Sequence, residues 1–281
     1  MADRLEDLVG SNPKIEKIIE GVAAGEGPVF SRKGFLLYSD IQVRRIMKWE
    51  DGKLTAFRAD SRRANGLTFD HLGRLLVCEA GRITRTEHDG RITVLADQFE
   101  GKGLNIPNDL VYAIDGSIYF SDLRFRDPPP NPARTDFSAL YQITPQGKLR
   151  VASRDCQRPN GMALTANQQK LYLADSGPKN LWIYDIGADG SLTSGRIFAD
   201  MSAGKGGVPD GLKTDEEGNV WVAGPRGIWI FNERGVHLGV VALPESPTNC
   251  CWGGDDFRDF YATTHNSVYK IKTNVSGTRT Y

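Results

Sequence analysis

An all-β chain folded as a six-bladed β-propeller is the prediction from this sequence, and three observations carry it. Short strand-like runs recur along the whole chain, the spacing of the repeats is about 40–50 residues as propeller blades require, and helical periodicity is nearly absent. The runs are GFLLYSD at 34–40, RLLVCEA at 74–80, SIYFSDL at 117–123, KLYLADS at 170–176, NVWVAGP at 219–225 and DFYATTH at 259–265. Each alternates apolar residues or forms a short apolar block bounded by Gly, Asp, Asn or Pro, the pattern of a strand between turns.

A leading segment precedes each run: EGPVF at 26–30, NGLTF at 65–69, NDLVY at 108–112, NGMAL at 160–164, DGLKT at 210–214 and NCCWG at 249–253. Their first residues lie 39, 43, 52, 50 and 39 positions apart. Later strands of a repeat are joined by Asp51-Gly52, Asp89-Gly90 and Asp189-Gly190, dipeptides suited to hairpin turns. Five repeats finish with a further strand, such as LTAFRAD or ITVLADQ. The last ends after strands near 249–253, 259–264 and 267–272. KIEKIIEGV at 14–22 has no repeat of its own and is expected to supply the missing outer strand. That closes the ring and leaves no open edge. A single domain over 1–281 follows. Residues 123–138, LRFRDPPPNPARTDFS, carry four prolines and cannot be a regular strand. They read as an insertion, either a surface loop or a lid over one channel mouth.

Composition narrows the function. Lys plus Arg and Asp plus Glu number 35 each, so no basic or acidic excess points to nucleic acid or a membrane surface. MADRLEDLVG is too polar for a signal peptide, and no apolar run reaches the roughly 18 residues of a spanning helix. Cys78, Cys156, Cys250 and Cys251 show no CxxC pair, and are expected to be reduced, buried side chains in a cytoplasmic protein.

The innermost strand of each blade lines the channel, so the six leading residues should gather near one end of it. They are Glu26, Asn65, Asn108, Asn160, Asp210 and Asn249, all oxygen-bearing and two of them carboxylates. Carboxylate and amide oxygens suit a hard divalent cation. Asn, Asp and Gly also favour turns, and Glu26 is the residue that fits that second reading poorly. No GxSxG elbow and no HExxH pair is present among the four histidines. His71 and His88 sit beside turns, His265 follows a strand in the last repeat, and Trp252 and Phe125 could either pack or flank a substrate.

GEGPVF, LLYSDIQVRRIMKWE, ANGLTFDHLGRLLVCE, GLNIPNDLVYAIDGSIYFSD, RPNGMAL, VPDGLKTDEEGNVWVA and TNCCWGG, in that order, resemble the senescence marker protein, gluconolactonase and luciferin-regenerating enzyme family. The resemblance runs from about residue 22 to 272. It implies a six-bladed propeller that hydrolyses a sugar lactone with one divalent metal ion: Ca²⁺ first, with Zn²⁺, Mg²⁺, Mn²⁺ or Fe²⁺ also compatible. The implied metal ligands are Glu26, Asn108, Asn160 and Asp210, with Asp210 also the implied proton acceptor. Asn65, Asn105 and Asn249 are left to face substrate. The animal branch resembles RFND where this chain reads NIPND, so Asn105 takes part of the role that Ile106 cannot, as in the bacterial branch. A small-molecule lactone is the expected partner. The same metal chemistry would also serve an organophosphorus ester, and a non-catalytic binding platform is the third possibility for a propeller.

Overall fold

The computed structural model describes residues 4–124 and 131–279. Within them the chain forms six four-stranded antiparallel sheets arranged as the blades of a propeller. The innermost strands are Gly25–Phe30, Leu67–Phe69, Ile106–Tyr112, Pro159–Leu164, Leu212–Thr214 and Pro247–Gly253, for blades one to six. The apolar runs of the sequence are the second strands, such as Leu36–Asp40, Leu75–Glu79 and Val220–Gly224, in which every residue is buried. A strand covered on both faces reads as a continuous apolar block. Here the covering is supplied by the two neighbouring blades. Outer strands face solvent on one side or both: Lys53–Arg58 is exposed along nearly its whole length.

Ring closure follows the expected route. Ile15–Glu20 pairs antiparallel with Ser267–Lys272, from Ile15 opposite Ile271 to Glu20 opposite Ser267. The sixth blade therefore takes its outer strand from the beginning of the chain and its other three from the end. A short helix, Leu5–Val9, precedes that strand and buries Leu8 and Val9 against blades five and six. Asp51-Gly52 turns the chain between two strands with both residues at positive φ, 50° and 74°, which is what a tight hairpin between right-twisted strands needs.

No central core exists, because the axis is a channel. The apolar side chains form six clusters, one in each crevice between adjacent blades. Leu76, Ile83, Leu110, Phe120 and Tyr141 fill the crevice of blades two and three. Trp221, Trp252 and Phe260 fill that of five and six, with ring centroids 4.9–5.1 Å apart. Trp252 is thus a packing residue. All four cysteines are free and buried in these crevices or beside them.

The closure makes a direct prediction. Deleting residues 1–20 exposes the Ser267–Lys272 edge and strips out Leu8, Val9 and Ile19, each worth about 1.5–3 kcal/mol of burial. The truncated chain is expected to melt at lower temperature and to elute as associated species by size exclusion. Unchanged melting of a monomer would contradict this account of closure.

Candidate active site at one mouth of the central channel

The six leading residues enter the structure through a shared irregularity. Register shifts interrupt the pairing of the inner strands at Glu26/Val29, Pro107/Leu110, Pro159/Met162 and Pro247/Asn249. In blades two and five the regular strand begins only after Asn65-Gly66 and Asp210-Gly211. There the pairing resumes beyond the gap through Asn65 N–H to Cys78 O and Asp210 N–H to Ala223 O. Bulges of this kind re-aim a side chain, and here each one sits at the channel end where a leading residue stands.

The residue after each leading position explains how closely the strands meet. It is Gly27, Gly66, Asp109, Gly161, Gly211 and Cys250 around the ring. A β-carbon on Gly27 would lie 2.1 Å from Asn65 O, on Gly66 2.6 Å from Asp109 Cα, on Gly161 2.4 Å from Asp210 O, and on Gly211 2.1 Å from Asn249. Each glycine thus lets one blade touch the leading residue of the next. Hydrogen bonds stitch the same junctions. Ser39 Oγ donates to Asn65 O, Gly66 N–H to Asn108 O, Ser176 Oγ to Pro209 O, Gly211 N–H to Thr248 O and Thr248 Oγ1 to Gly25 O, all at 2.6–2.9 Å.

A second repeat holds the approach to the site. An aspartate at the end of the second strand, or one residue before it, accepts backbone N–H groups from one or both of the residues two and three before the leading one. Asp40 accepts from Ala23 and Ala24, Asp175 from Gln157 and Arg158, and Asp122 from Asn105. The motif is visible in the sequence as YSD, FSD and LAD, but its purpose requires the fold. In blade two Glu79 stands at this position and instead binds Arg58, Arg82 and Thr84.

The structure brings Glu26, Asn160, Asp210 and Asn249 together and adds Asp109, which the repeat reading passed over. Asp109 occupies the position that is glycine in four blades. It is 2% exposed and reaches across the axis to blade six, where Asn249 Nδ2 donates to its Oδ2 at 3.3 Å. Asn249 also donates to Glu26 Oε2 at 3.3 Å, and its Oδ1 accepts from Cys250 N–H. With both amide hydrogens and its oxygen used, and 1% of it exposed, Asn249 braces Glu26 rather than facing substrate as expected. Asn105 is likewise tied inward, donating to Thr135 Oγ1 at 2.6 Å and Phe137 O at 3.1 Å. Its Nδ2 is committed to holding the insertion. Asn108 gives its carbonyl to the blade junction and its side chain is half-buried. His71, His88 and His265 are exposed, and the two first lie at the other end of the inner strands.

The charge balance of this centre is unfavourable as it stands. Burial, then the neighbouring charges of Glu26 and Asp109, push the Asp210 carboxyl well above the usual range, and Asn160 and Arg158 only partly offset them. Glu26 is raised in the same way, by burial and by Asp109, against the Gly27 N–H, Asn249 and Lys213. Beside them Asn160 Oδ1 is buried without a hydrogen-bond partner, as is Asn65 Oδ1. An orphaned buried oxygen is costly. Among the described residues no three His, Cys, Asp or Glu side chains close on one point, so a cation here would draw on amide as well as carboxylate oxygens. Such a mixed, hard oxygen set fits a divalent cation, whose charge would reverse the repulsion.

Of the insertion at 123–138, residues 125–130, Phe125 among them, lie outside the described residues. Its second half is fastened beside Asn105: Gly103 and Arg134 form a parallel bridge, Thr135 N–H donates to Gly103 O at 3.0 Å, and Arg134 Nη1 donates to Leu104 O and Asn105 O. Leu123 ends a strand antiparallel to Ile106–Tyr112, so the insertion leaves the blade at the Asn108 end of the channel.

The axial packing predicts that Gly161→Ala, at a position with ordinary φ, drives a methyl group against the Asp210 backbone. A loss of about 1–3 kcal/mol, read as a lower urea midpoint, is the expected outcome. An unchanged midpoint would mean that the axis has room to spare.

Known proteins resemble this chain over almost its full length. Gluconolactonase of Zymomonas mobilis subsp. mobilis is 29% identical over 309 residues, covering 98% of this chain and 85% of that protein. Regucalcin of Danio rerio is 27% identical, covering 90% and 87%. The solved structure of XC5397 from Xanthomonas campestris, described as a gluconolactonase, superposes with a TM-score of 0.87 at 27% identity, covering 97% of this chain and 93% of that one. Residues 24–266, spanning all six blades, match the SMP-30/Gluconolactonase/LRE-like region, and the chain belongs to that family.

Proposed function

We propose that this protein is a hydrolase that opens a small lactone, a sugar lactone of the gluconolactone kind, to its hydroxy acid. The observation that carries the reading is the orphaned Asn160 Oδ1 beside two carboxylates, Glu26 and Asp210, that repel one another. The gluconolactonase relatives support the substrate class. In this reading Glu26, Asn108, Asn160 and Asp210 hold one divalent cation, which we assign as Ca²⁺ because amide and carboxylate oxygens without imidazole or thiolate are its preferred ligands. When bound, the ion supplies Lewis acidity for the lactone carbonyl.

The chain's own groups do the rest. Ester hydrolysis adds water to the carbonyl carbon, breaks the ring C–O bond and returns a proton to the departing ring oxygen. Asp210 accepts the proton of the attacking water. Beside a bound cation its carboxyl would stay ionised, which a proton acceptor requires. Asn249 keeps Glu26 in place through one hydrogen bond and Asp109 through the other. In this reading Asn65, whose buried Oδ1 lacks a partner, and Asn105 would accept hydroxyl groups of a polyol ring.

Two measurements test this. Chelation should lower the melting temperature and added Ca²⁺ restore it, since a ligand of the native state stabilises by mass action. Glu26→Gln should blunt that response. A melting curve indifferent to chelator and metal would remove the cation site. At measured metal saturation, Asp210→Asn should lose about 10²–10⁴ in lactone turnover, or roughly 3–5 kcal/mol of barrier. Near wild-type turnover would take the proton from Asp210, and turnover of phosphoesters but not lactones, across a substrate panel followed by pH indicator, would overturn the reaction class.

A further inference from the structure

Charge balances over the whole chain, 35 Lys and Arg against 35 Asp and Glu, but it does not balance along the propeller axis. The connections between strands at the carboxylate end, Asp210 and residues 125–130 left aside, hold eleven Lys and Arg against six Asp and Glu. Those at the far end hold seven against twelve. Residues 125–130 contain one arginine and one aspartate, which leaves the excess as it is. At the strand ends just beneath, Asp40, Glu79, Asp122 and Asp175 are set against Arg45, Arg58 and Arg82, so that layer changes it by one charge. The mouth that leads to Glu26 and Asp210 is thus the positive pole of a chain without net charge.

Backbone conformation singles out several of these cations. The residue just before the third strand is left-handed in blades one, two, four and five: Arg44, Gly81, Lys179 and Arg226, with φ of 56°, 76°, 64° and 66°. Glycine adopts that conformation freely, and arginine or lysine only at a cost. Of the four, blade two takes the glycine, and there Arg134 Nη1 lies 3.1 Å from where its β-carbon would be. A cation therefore stands at each of these turns. Arg62 and Arg63, left-handed at 50° and 59°, come three and two residues before Asn65. Ser61 N–H donates to Arg44 O and Ala80 N–H to Arg62 O, which fastens their loop to the turns of blades one and two. Arg44, Arg62, Arg63 and Arg226 are exposed. Among the described residues no ion pair or side-chain hydrogen bond engages their guanidinium groups. Asp60 lies in the same loop and accepts the Arg62 backbone N–H. Lys179 Nζ donates to Gly204 O, and Arg134 Nη1 to Leu104 O and Asn105 O, neutral partners that leave both charges in place.

We propose that this cationic collar selects an anionic lactone, one that carries a carboxylate or a phosphate besides its ring ester, as the substrate of the site. The proposal rests on the hydrolase reading above and adds the charge of the substrate to it. Arg44, Arg62, Arg63, Lys179 and Arg226 all hold a left-handed backbone at this one mouth. Strain kept where glycine would fit marks a functional constraint. Guanidinium groups suit both oxyanions. Charges of one sign around a cleft focus the field into it and raise the encounter rate of an opposite charge by about 10–10³. Their reach includes the centre, since the charge of Arg158, two residues before Asn160, acts on the Asp210 carboxyl. With a divalent cation set against Glu26 and Asp210, the positive excess of the collar is left for the ligand. The cations come from several blades around an opening rather than from one broad face, which fits a small anion better than a polyanionic surface.

Hydrolysis followed by pH indicator on the full chain at saturating Ca²⁺ tests the proposal with three lactones: uncharged glucono-1,5-lactone, glucaro-1,4-lactone with its carboxylate, and 6-phosphoglucono-1,5-lactone. At about 0.01 M ionic strength, where charges reach roughly 30 Å, kcat/KM for an anionic lactone should exceed that for the neutral one by about tenfold or more. The ratio should shrink at about 1 M, where that reach is about 3 Å. Whichever anionic lactone gives the larger ratio identifies carboxylate or phosphate as the selected group. The double variants Arg62→Gly/Arg63→Gly and Arg44→Gly/Arg226→Gly should each lower the ratio while the melting temperature stays level, because glycine accepts the left-handed backbone. The proposal is overturned if the neutral lactone is turned over as well as both anionic ones at low salt, if the ratio ignores salt, or if both double variants keep the wild-type ratio. A fall in melting temperature in both double variants would overturn it too, since the side chains would then serve the fold. Turnover of none of the three lactones would sink the hydrolase reading by itself. Titration calorimetry with glucarate, 6-phosphogluconate and glucose then reads the collar alone: salt-sensitive binding of either anion, weakened in the double variants, upholds the preference for anions, and binding of neither overturns it.

Discussion

Six inner strands converge on one axis, and at their crowded end most of the ring has no space for a β-carbon. Gly27, Gly66, Gly161 and Gly211 each place a bare backbone against the leading residue of the next blade. That contact sets the spacing of the blades near the axis, and everything outward follows from it. The second strands are squeezed between neighbours and become fully buried, and the apolar clusters divide into six crevices. The leading side chains are forced to share one small volume. Closure by Ile15–Glu20 then locks a ring whose members could otherwise splay.

The same crowding creates the electrostatics of the centre. Glu26 and Asp210 come from blades one and five, and Asp109 adds a third carboxylate from blade three. Burial penalises their ionised forms and proximity penalises them again. The protein answers with directed dipoles rather than paired cations. Asn249 bridges two of the carboxylates, and the Gly27 N–H serves Glu26. One ring outward, Asp40, Asp122 and Asp175 pin the backbone that delivers the leading residues. Burial pushes Asp122 up to about 7 even though it accepts the Asn105 N–H. Preorganisation of this kind keeps a site in place on a rigid scaffold, and it explains why the aspartates recur at the same strand position in three blades.

The two ends of the channel differ in kind although the same strands build both. At one end bulges turn oxygen-bearing side chains inward. At the other, tight turns, left-handed at their fourth residues, bring Arg32, His71, Gln168 and Phe257 around a second cavity. Between them the inner strands contribute Val29, Thr68, Val111, Ala163 and Lys213, and the segment carrying Thr278 lies across blade five.

The architecture was legible in the chain because its signals are local. Apolar blocks, Asp-Gly hairpins and leading polar residues repeat at the intervals of propeller blades, and the unmatched 14–22 segment marks the closing strand. That the six leading residues would approach one channel end was an expectation of the repeat, since equivalent positions in a radial repeat converge; Glu26, Asn160, Asp210 and Asn249 do lie together there. What the tertiary structure alone decided was the use of each valence. Asn249 and Asn65 look alike in sequence, yet one is spent on Glu26 and Asp109 while the other keeps an unpartnered oxygen. Asp109 reads as a departure from a glycine position, and only the fold shows it crossing the axis. Asn105 is drawn toward Thr135 and Phe137 by a segment thirty residues later. Repetition in the sequence determines which residues meet, because the period is covalent. Which of their atoms remain available is determined by hydrogen bonds between blades distant in the chain, and no local pattern encodes those.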